Sequence, residues 1–326
     1  MNCAPSERAA AVTGVRLPRA GFIVGPTGAG KTAFAIEIAE RLGAEIINAD
    51  SRQLYRGTDI GTAKPTLEQR RRVPHRLIDV RAPDQAIDVA EFARMARAAM
   101  AEVTSRGRRV LVVGGSGLYL RAIRGGIFAG PPAAAEIRAE LCATAAREGV
   151  TALHDRLRDV DPDAALRISP NDMKRIVRAL EVFRLTGIPI SVHQRPHRFA
   201  MREYETLMIG LTPAREQLYA AIDLRFDAMI AAGLVDEVRG LIAAGYDAGA
   251  APLGTIGYRE IAAFLHGETE LAAAIEQAKR ASRRLAKRQL TWFRAEPGII
   301  WLDPRDGLEE ATRLLHHFFT REGGDG

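Results

Sequence analysis

Cysteine is scarce in this sequence, and long apolar runs are missing. The 326 residues include two cysteines, Cys3 and Cys142, which lie far apart and outside any C-x-x-C pair. This spacing argues against a disulfide framework and against a cysteine-based zinc site. No uninterrupted apolar stretch is long enough to span a bilayer, which argues against a membrane protein. The N-terminal residues lack a basic segment followed by an apolar one, so they predict a loose tail on a cytoplasmic protein instead of a signal peptide.

Histidine is also infrequent, with seven residues in the chain. His193 and His197 have the four-residue spacing of helical metal ligands, but Pro196 lies between them and argues against a helix. We therefore predict that both are solvated loop residues and that they form no metal site.

Acidic residues are absent from one basic segment of the chain, which has a net charge of +6. The segment 279–294, "KRASRRLAKRQLTWFR", carries seven basic residues and no acidic one. On a helix, one arc contains Arg280, Arg283, Arg284, Lys287 and Arg288, and another contains Ala281, Leu285 and Trp292. A basic arc without acidic partners predicts contact with nucleic-acid phosphates. The alternative is an ordinary solvated helix face.

The segment "GPTGAGKT" at 25–32 matches the phosphate-binding pattern G-x-x-x-x-G-K-[ST]. The preceding "GFIVG" predicts a short buried strand, and the apolar residues that follow recur at helical spacing. The loop amides and the helix N-terminus would face an anion, Lys31 adds a full positive charge, and the Thr32 hydroxyl can ligate Mg²⁺. The alternative is a glycine-rich turn without a ligand, which the two flanking elements disfavour.

Strand and helix patterns alternate in the first part of the chain and then give way to helices. Strands are predicted at "GFIVG", "AEIINAD" and "RRVLVVGG", with helices at 32–42 and 89–105, and this alternation indicates a parallel sheet. Residues 133–184 are predicted to be almost entirely helical. Within them, Ser169 as N-cap and Pro170 at the first position predict a helix start. Strands return at 206–212 and 298–302.

The fold class predicted from this order is α/β, with a P-loop NTPase-like parallel sheet core and an inserted helical domain. The predicted boundaries are a loose tail at 1–19, the first part of the core at 20–124, the helical insertion at 125–198, the rest of the core with basic C-terminal helices at 199–320, and a tail at 321–326.

Asp50 is the strand-end carboxylate that remains for P-loop chemistry. ATP and GTP chemistry normally uses an aspartate at the end of a second apolar strand, but here "VLVVGG" ends in glycines. Asp50 follows the strand "AEIIN", and strand carboxyl ends face the ligand crevice in a doubly wound sheet. We expect Asp50 to be a metal-organising group or a base. The alternative is that it only caps the next turn.

Seven segments together carry a family resemblance that extends over most of the chain. They are "GPTGAGKT", "DSRQLYRGTDIGTAKPT" at 50–66, "PHRLID" at 74–79, "VVGGSGLYLRA", "NDMKRIVRALEV" at 171–182, "GTIGYREI" at 254–261 and "AKRQLTWFR" at 286–294. With these segments, in this order, the chain resembles the bacterial tRNA dimethylallyltransferases of the IPP transferase family, which prenylate adenosine 37 beside the anticodon. The P-loop alone is unspecific, whereas the D-S-R-Q run followed by G-T-A-K-P-T is highly specific.

The resemblance implies that the P-loop holds the diphosphate of dimethylallyl diphosphate, with Thr32 as a ligand of Mg²⁺. The implied diphosphate-binding residues are Gly25, Pro26, Thr27, Gly28, Ala29, Gly30, Lys31 and Thr32. Asp50 would be the general base that takes a proton from the adenosine N6. Thr27, Lys31 and Arg225 would neutralise the departing diphosphate. For Arg225, a surface helix position is the alternative.

The resemblance also implies a tRNA partner whose target base is extruded into the site. Together with the basic arc, it predicts these tRNA-contacting residues: Asp50, Ser51, Arg52, Gln53, Ser116, Arg138, Lys174, Arg175, Ile176, Val177, Arg178, Gly254, Thr255, Ile256, Gly257, Tyr258, Arg259, Arg284, Lys287 and Arg288. For Lys174–Arg178 the alternative is an ordinary basic helix face. Ser116, Lys174 and Leu285 depart from the residues usual in the family, which leaves the activity intact and alters details of tRNA contact.

Two other functions remain possible at this point. A P-loop kinase for a small molecule or nucleoside could use Asp50 to activate a hydroxyl, but the basic arc would have no role. A nucleotide-switched RNA-binding protein would leave Asp50 unused and would need a second-strand carboxylate that the sequence lacks. Single copies of each motif predict a monomer.

Overall fold

The computed structural model describes residues 17–125, 130–131, 133–197, 204–247 and 249–321, with the backbone alone at 195–197. The strands are β1 (Arg19–Val24), β2 (Ala44–Asn48), β3 (His75–Arg76), β4 (Arg109–Gly114), β5 (Glu205–Leu211) and β6 (Ile299–Leu302). The helices are α1 (Lys31–Leu42), α2 (Leu67–Arg72), α3 (Val89–Ser105), α4 (Gly117–Gly125), α5 (Ala135–Glu148), α6 (Val150–Val160), α7 (Pro162–Ala165), α8 (Met173–Thr186), α9 (Ile190–His197), α10 (Arg215–Ala231), α11 (Leu234–Ala243), α12 (Tyr258–Leu265), α13 (Leu271–Arg294) and α14 (Leu308–Thr320).

The strands form one sheet in the order β3-β2-β4-β1-β5-β6, and every neighbouring pair is parallel. β2 is buried at every position and β1 at all but its first, as expected for strands covered on both faces. Because all strands run the same way, the segments that follow β1, β2 and β4 leave the sheet at one edge. The predicted α/β class with a parallel core is confirmed.

The chain divides into two compact units. The first comprises the described residues of 1–87, 95–120 and 202–326, and the second those of 88–94 and 121–201. Helices α5 to α8 of the second unit pack around an apolar core that includes Leu141, Leu153, Leu157, Ile176 and Leu180. Most of the predicted tails and parts of the predicted insertion at 125–198 lie outside the described residues.

Two local predictions in the helical region were wrong. Asp172, not Ser169, is the N-cap of α8, because its side chain accepts a hydrogen bond from the Arg175 amide at 3.2 Å. Ser169 instead begins a turn in which its carbonyl accepts from the Asp172 amide at 2.9 Å. His193 and His197, predicted to be loop residues, lie in the helix α9, which also includes Pro196. The proline is the second-last residue of this short helix, where it removes one backbone hydrogen bond.

Among the residues with described positions, no group of three or more His, Cys, Asp or Glu side chains could hold a metal ion. No helix in the described ranges combines the length and the apolar character that crossing a membrane requires.

Candidate active site

One cleft at the carboxyl edge of the sheet brings together the P-loop and the segment after β2. Its volume is about 360 Å³. Lys31 and Thr32 from the start of α1 line it together with Asp50 and Gln53 from the second segment. The structure therefore places the predicted base in the same cleft as the predicted diphosphate-binding loop.

The P-loop takes its shape from glycine backbone geometry. Gly28 has φ 83°, and a Cβ there would lie 2.6 Å from the Ile222 side chain, so a larger residue would be both strained and crowded. The Lys31 ammonium donates to the Pro26 carbonyl at 2.7 Å. Burial lowers the pKa of Lys31 to about 8, although the charge of Asp50 acts to raise it, and Arg225 lowers it further. Lys31 is therefore mostly protonated at neutral pH and loses its charge as the pH rises through about 8.

Arg225 reaches the P-loop from α10. Its guanidinium donates to the Thr27 hydroxyl at 2.6 Å. Burial lowers the pKa of this guanidinium, and the Asp50 charge partly offsets that effect. Arginine side chains are effectively always protonated in proteins. Arg225 is thus not a free surface residue, and its charge lies beside the loop.

Asp50 is held in place by its own turn. Its amide donates to the Asn48 side chain at 3.1 Å, and its Oδ1 accepts from the Arg52 amide at 2.9 Å. Asn48 is itself fixed by a 3.0 Å bond to the Leu77 carbonyl. Asp50 therefore does cap a turn, as the alternative proposed, but Oδ2 accepts no hydrogen bond from any described residue. One carboxylate oxygen orients the side chain and the other remains available in the cleft.

The strand β4 ends in Gly114, where ATP and GTP chemistry usually has an aspartate. β4 lies between β1 and β2 in the sheet, and Gly114 and Val113 line the cleft. A Cβ on Gly114 would lie 2.3 Å from the Ala49 carbonyl oxygen. The end of β4 therefore has no room for an aspartate side chain. The strand-end carboxylate in this cleft is Asp50, which follows β2.

Lys64 stabilises the loop from 51 to 66, of which it is part, through two ion pairs. This ammonium is almost fully buried and pairs with Asp59 at 2.7 Å and with Asp79 at 2.5 Å. Burial opposes ionisation of Asp79, but the bonds from Lys64 and Arg70 outweigh it and hold the pKa of Asp79 below its usual value. Asp79 is therefore ionised at neutral pH, and its pair with Lys64 fixes the loop that carries Gln53.

A second brace comes from Glu237 on α11. Its carboxylate accepts from the amides of Asp59, Ile60 and Gly61 at 2.9, 2.8 and 3.1 Å, and from the buried Tyr258 hydroxyl. Burial is the main reason that the pKa of Tyr258 is raised, so this hydroxyl stays a donor. Within the predicted tRNA segment 254–259, Tyr258 thus has a structural role.

We expect Glu237→Ala to lower the free energy of unfolding by about 1–3 kcal/mol, because it leaves three amides and a buried hydroxyl without an acceptor. Hydrogen exchange would show the amides of Asp59, Ile60 and Gly61 losing protection. Glu268→Ala, which removes an exposed glutamate, is the control. Equal protection in the two variants would contradict the bracing role.

Some of the predicted tRNA-contacting residues of the first unit lie beside the segment that carries Asp50. The Ser51 amide donates to the Ser116 hydroxyl at 3.2 Å, and Arg52 reaches the Ala251 carbonyl at 3.4 Å. Gly254 is exposed, whereas Arg259 is ion-paired with Glu260. The structure therefore brings 51–53, Ser116 and the start of 254–259 close to the segment that carries Asp50.

The predicted tRNA-contacting residues of the second unit fall into three groups: buried apolar residues, arginines paired with a buried carboxylate, and exposed cations. Ile176 and Val177 belong to its apolar core, so their side chains cannot face RNA. Arg138 and Arg178 both pair with Glu181, at 2.7 and 2.6 Å, and Glu181 is fully buried.

Burial disfavours the charge on Glu181, but its arginine partners keep its pKa below the usual value. Lys174 and Arg175 are exposed. Arg175 pairs with Asp172 at 3.4 Å, whereas Lys174 has no ion-pair partner among the described residues.

The expectation that the basic arc of α13 lacks acidic partners was wrong for part of this segment. Arg283 pairs with Asp223 at 2.5 Å and Lys279 with Asp227 at 2.7 Å. Both aspartates belong to α10, so the partners come from tertiary packing that local sequence cannot show. The exposed cations of the arc that have no ion-pair partner among the described residues are Arg280, Arg284, Lys287 and Arg288.

The buried face of α13 also differs from the predicted apolar arc. Ala278, Ala286 and Phe293 are buried, whereas Leu285 and Trp292 are only half-buried. The half-buried Gln289 lies along the same inward face, and it bonds to the P-loop. Gln289, Glu237 and Lys64 are the residues that sequence reasoning missed. Two of them lie in segments already noted, but nothing local distinguishes a polar side chain that bonds to a distant loop from a solvated one.

Comparison with known proteins identifies the family. The family model described as IPP transferase matches residues 53–296. The chain belongs to the IPP transferase family.

Two curated relatives of this IPP transferase chain are named tRNA dimethylallyltransferase. That of Geobacter metallireducens is 52% identical over 86% of this chain and 91% of its own. That of Syntrophobacter fumaroxidans is 48% identical over 97% and 94%. The solved structure of the tRNA isopentenylpyrophosphate transferase from Bacillus halodurans is 40% identical, covers 92% of this chain and 99% of its own, and has a TM-score of 0.65. These names are those of tRNA prenyltransferases, which favours the predicted transferase over the kinase.

Proposed function

We propose that this IPP transferase transfers a dimethylallyl group from dimethylallyl diphosphate to N6 of adenosine 37 in tRNA. The observation that carries the proposal is the cleft lined both by the P-loop residues Lys31 and Thr32 and by the carboxylate of Asp50. One side of such a cleft suits a diphosphate, and the other offers a proton acceptor.

The chemistry divides between these two sides. The bond between N6 and C1 forms as the C1–O bond breaks, and diphosphate leaves with the electron pair of that bond. The Lys31 ammonium, the loop amides and the Arg225–Thr27 pair stabilise the charge that develops on the leaving oxygens. Asp50, through its free carboxylate oxygen, accepts the proton that N6 loses.

The donor set of the cleft suits Mg²⁺. No three-carboxylate or histidine cage exists among the described residues, but Mg²⁺ usually binds one or two protein groups, substrate phosphates and water. The Thr32 hydroxyl and the Asp50 carboxylate both line the cleft, and Thr32 is the residue that would hold the ion. When bound, Mg²⁺ would supply further positive charge to the diphosphate.

Exposed cations on two helices support tRNA as the partner. Arg284, Lys287 and Arg288 are exposed on α13, and Lys174 and Arg175 on α8. Such cations bind phosphates without reading sequence. A base inside a cleft must leave its stack, which an anticodon loop permits more readily than a duplex. We further propose that the protein acts as a monomer in the cytoplasm, where tRNA is available.

Labelled donors test the proposal directly. Unmodified tRNA is incubated with dimethylallyl diphosphate labelled in its prenyl group, or with ATP labelled in its γ-phosphate. We expect prenyl label in the RNA, located at adenosine 37 after nuclease digestion. Transfer of phosphate from ATP to a small molecule or nucleoside, without prenyl transfer, would instead support the kinase.

We expect tRNA affinity to fall steeply with salt, and the triple variant Arg284→Ala, Lys287→Ala, Arg288→Ala to flatten this dependence. The slope of log affinity against log salt should fall by roughly one unit for each phosphate that the protein no longer neutralises. Filter binding at several salt concentrations measures it.

The control for the salt measurement removes three cations that already have carboxylate partners. It is Arg41→Ala, Arg305→Ala, Arg313→Ala, in which the removed cations are paired with Glu309, Asp303 and Glu310. Both triple variants change the net charge equally. If their slopes are the same, the α13 surface has no specific part in RNA binding.

A further inference from the structure

Gln289 on α13 connects two loops of the site through one side-chain amide. Its Oε1 accepts from the Thr27 amide of the P-loop at 2.8 Å, and its Nε2 donates to the Gly115 carbonyl after β4 at 2.9 Å. Each half of the amide therefore has one partner, and the two partners follow adjacent strands, β1 and β4.

The loop after β4 packs closely against α13 around this connection. A Cβ on Gly115 would lie 2.6 Å from Nε2 of Gln289, and one on Gly117 would lie 2.4 Å from the Trp292 ring. The loop after β4 thus lies directly against α13 at two points, three residues apart on the helix. Only glycine allows this approach.

Thr27 is the residue on which this connection acts. Gln289 holds its amide, while Arg225 donates to its hydroxyl at 2.6 Å. The position of Thr27, and with it the direction of the Arg225 charge, depends on a helix that is distant in sequence.

The same helix is also attached to the element that carries Arg225. Lys279 and Arg283 of α13 pair with Asp227 and Asp223 of α10, on either side of Arg225 in sequence. α13 therefore sets the positions of the P-loop, the loop after β4 and α10. Its outward face carries the exposed cations Arg284, Lys287 and Arg288.

We propose that Gln289 is a positioning residue for prenyl transfer, which holds the P-loop in the arrangement needed for the leaving diphosphate and connects it to the RNA-binding helix. This inference rests on the proposed function. Gln289 acts through Thr27 and takes no part in proton transfer. Small misplacements of groups around a reacting centre cost up to about 10²-fold in rate.

The test uses the full-length protein with tRNA and dimethylallyl diphosphate. Gln289→Ala removes both bonds, and Gln289→Glu keeps an acceptor for the Thr27 amide but cannot donate to the Gly115 carbonyl. We expect both to lower the single-turnover rate about 10- to 100-fold, while the Kd for tRNA changes less than twofold. Thr291→Ala is the matched control, because this exposed hydroxyl bonds to the Lys287 carbonyl within the helix.

Each outcome has one meaning. Rates within twofold of the unaltered protein in both glutamine variants would overturn the inference, and so would a loss of tRNA affinity as large as the loss of rate. A Gln289→Ala variant that unfolds leaves the Gln289→Glu comparison to decide. If the unaltered protein transfers no prenyl group, the proposed function fails instead, independently of Gln289.

Discussion

Asp50→Asn is expected to lower kcat about 10²- to 10⁴-fold while tRNA binding changes little. Asparagine retains the size of the side chain and can still accept the Arg52 amide bond that Oδ1 accepts now. It cannot accept the proton from N6. The loss should therefore appear in the chemical step, measured as the single-turnover rate at saturating donor, with tRNA affinity measured without donor.

Asp303→Asn provides a matched control for this experiment. Asp303 makes the same kind of turn, because its Oδ1 accepts from the amide two residues later, Arg305, at 3.0 Å, and it also pairs with the Arg305 guanidinium. It does not line the cleft. If Asp50→Asn behaves like Asp303→Asn and keeps its chemical rate, Asp50 is only a turn cap.

Lys31→Ala is expected to reduce kcat/KM about 10²- to 10³-fold, the usual effect of removing one group that stabilises a developing anion. Dimethylallyl diphosphate should remain the substrate, and ATP should inhibit at most weakly as a diphosphate mimic. Steady-state kinetics with each compound measure both effects. Stoichiometric ATP hydrolysis coupled to product formation would contradict the transferase assignment of this P-loop.

The pKa of Lys31 allows a second test of its role in binding the donor. Below its pKa of about 8, Lys31 is charged, and above it the charge is lost. Binding of dimethylallyl diphosphate without tRNA should therefore weaken as the pH rises through this value. Lys31→Arg keeps its charge throughout this range, so its binding should depend less on pH. If donor binding by the unaltered protein and by Lys31→Arg changes with pH in the same way, Lys31 does not hold the donor as a cation.

The sequence predicted those parts of the fold that depend on local pattern. The helix at 89–105 has the predicted bounds, and the predicted strands at "GFIVG", "AEIINAD" and "RRVLVVGG" are present within one or two residues. The P-loop is recognisable because its glycines and its lysine must lie at fixed spacing to bind phosphate. The position of Asp50 follows from the direction of parallel strands.

The parts that sequence could not predict depend on contacts between distant residues. Arg283 is a surface cation by local pattern, yet Asp223 pairs with it from another helix. Gln289 has the same polar character as a solvated residue, and only the packing of α13 against the loops shows its role. The start of α8 was mispredicted because Ser169 and Asp172 are both good N-caps, and the tertiary turn selects the second.

The pairing of β1 with β5 has a consequence for synthesis of the chain. β1 is complete at Val24, but its neighbour begins at Glu205, and residues 25–204 must be made between them. At ~5–20 residues per second this takes roughly 10 to 40 s. Helices α5 to α8, whose contacts are local, can pack in that interval, whereas one edge of the P-loop strand stays unpaired. An open strand edge favours aggregation, so the nascent chain is most exposed to this hazard before β5 leaves the ribosome.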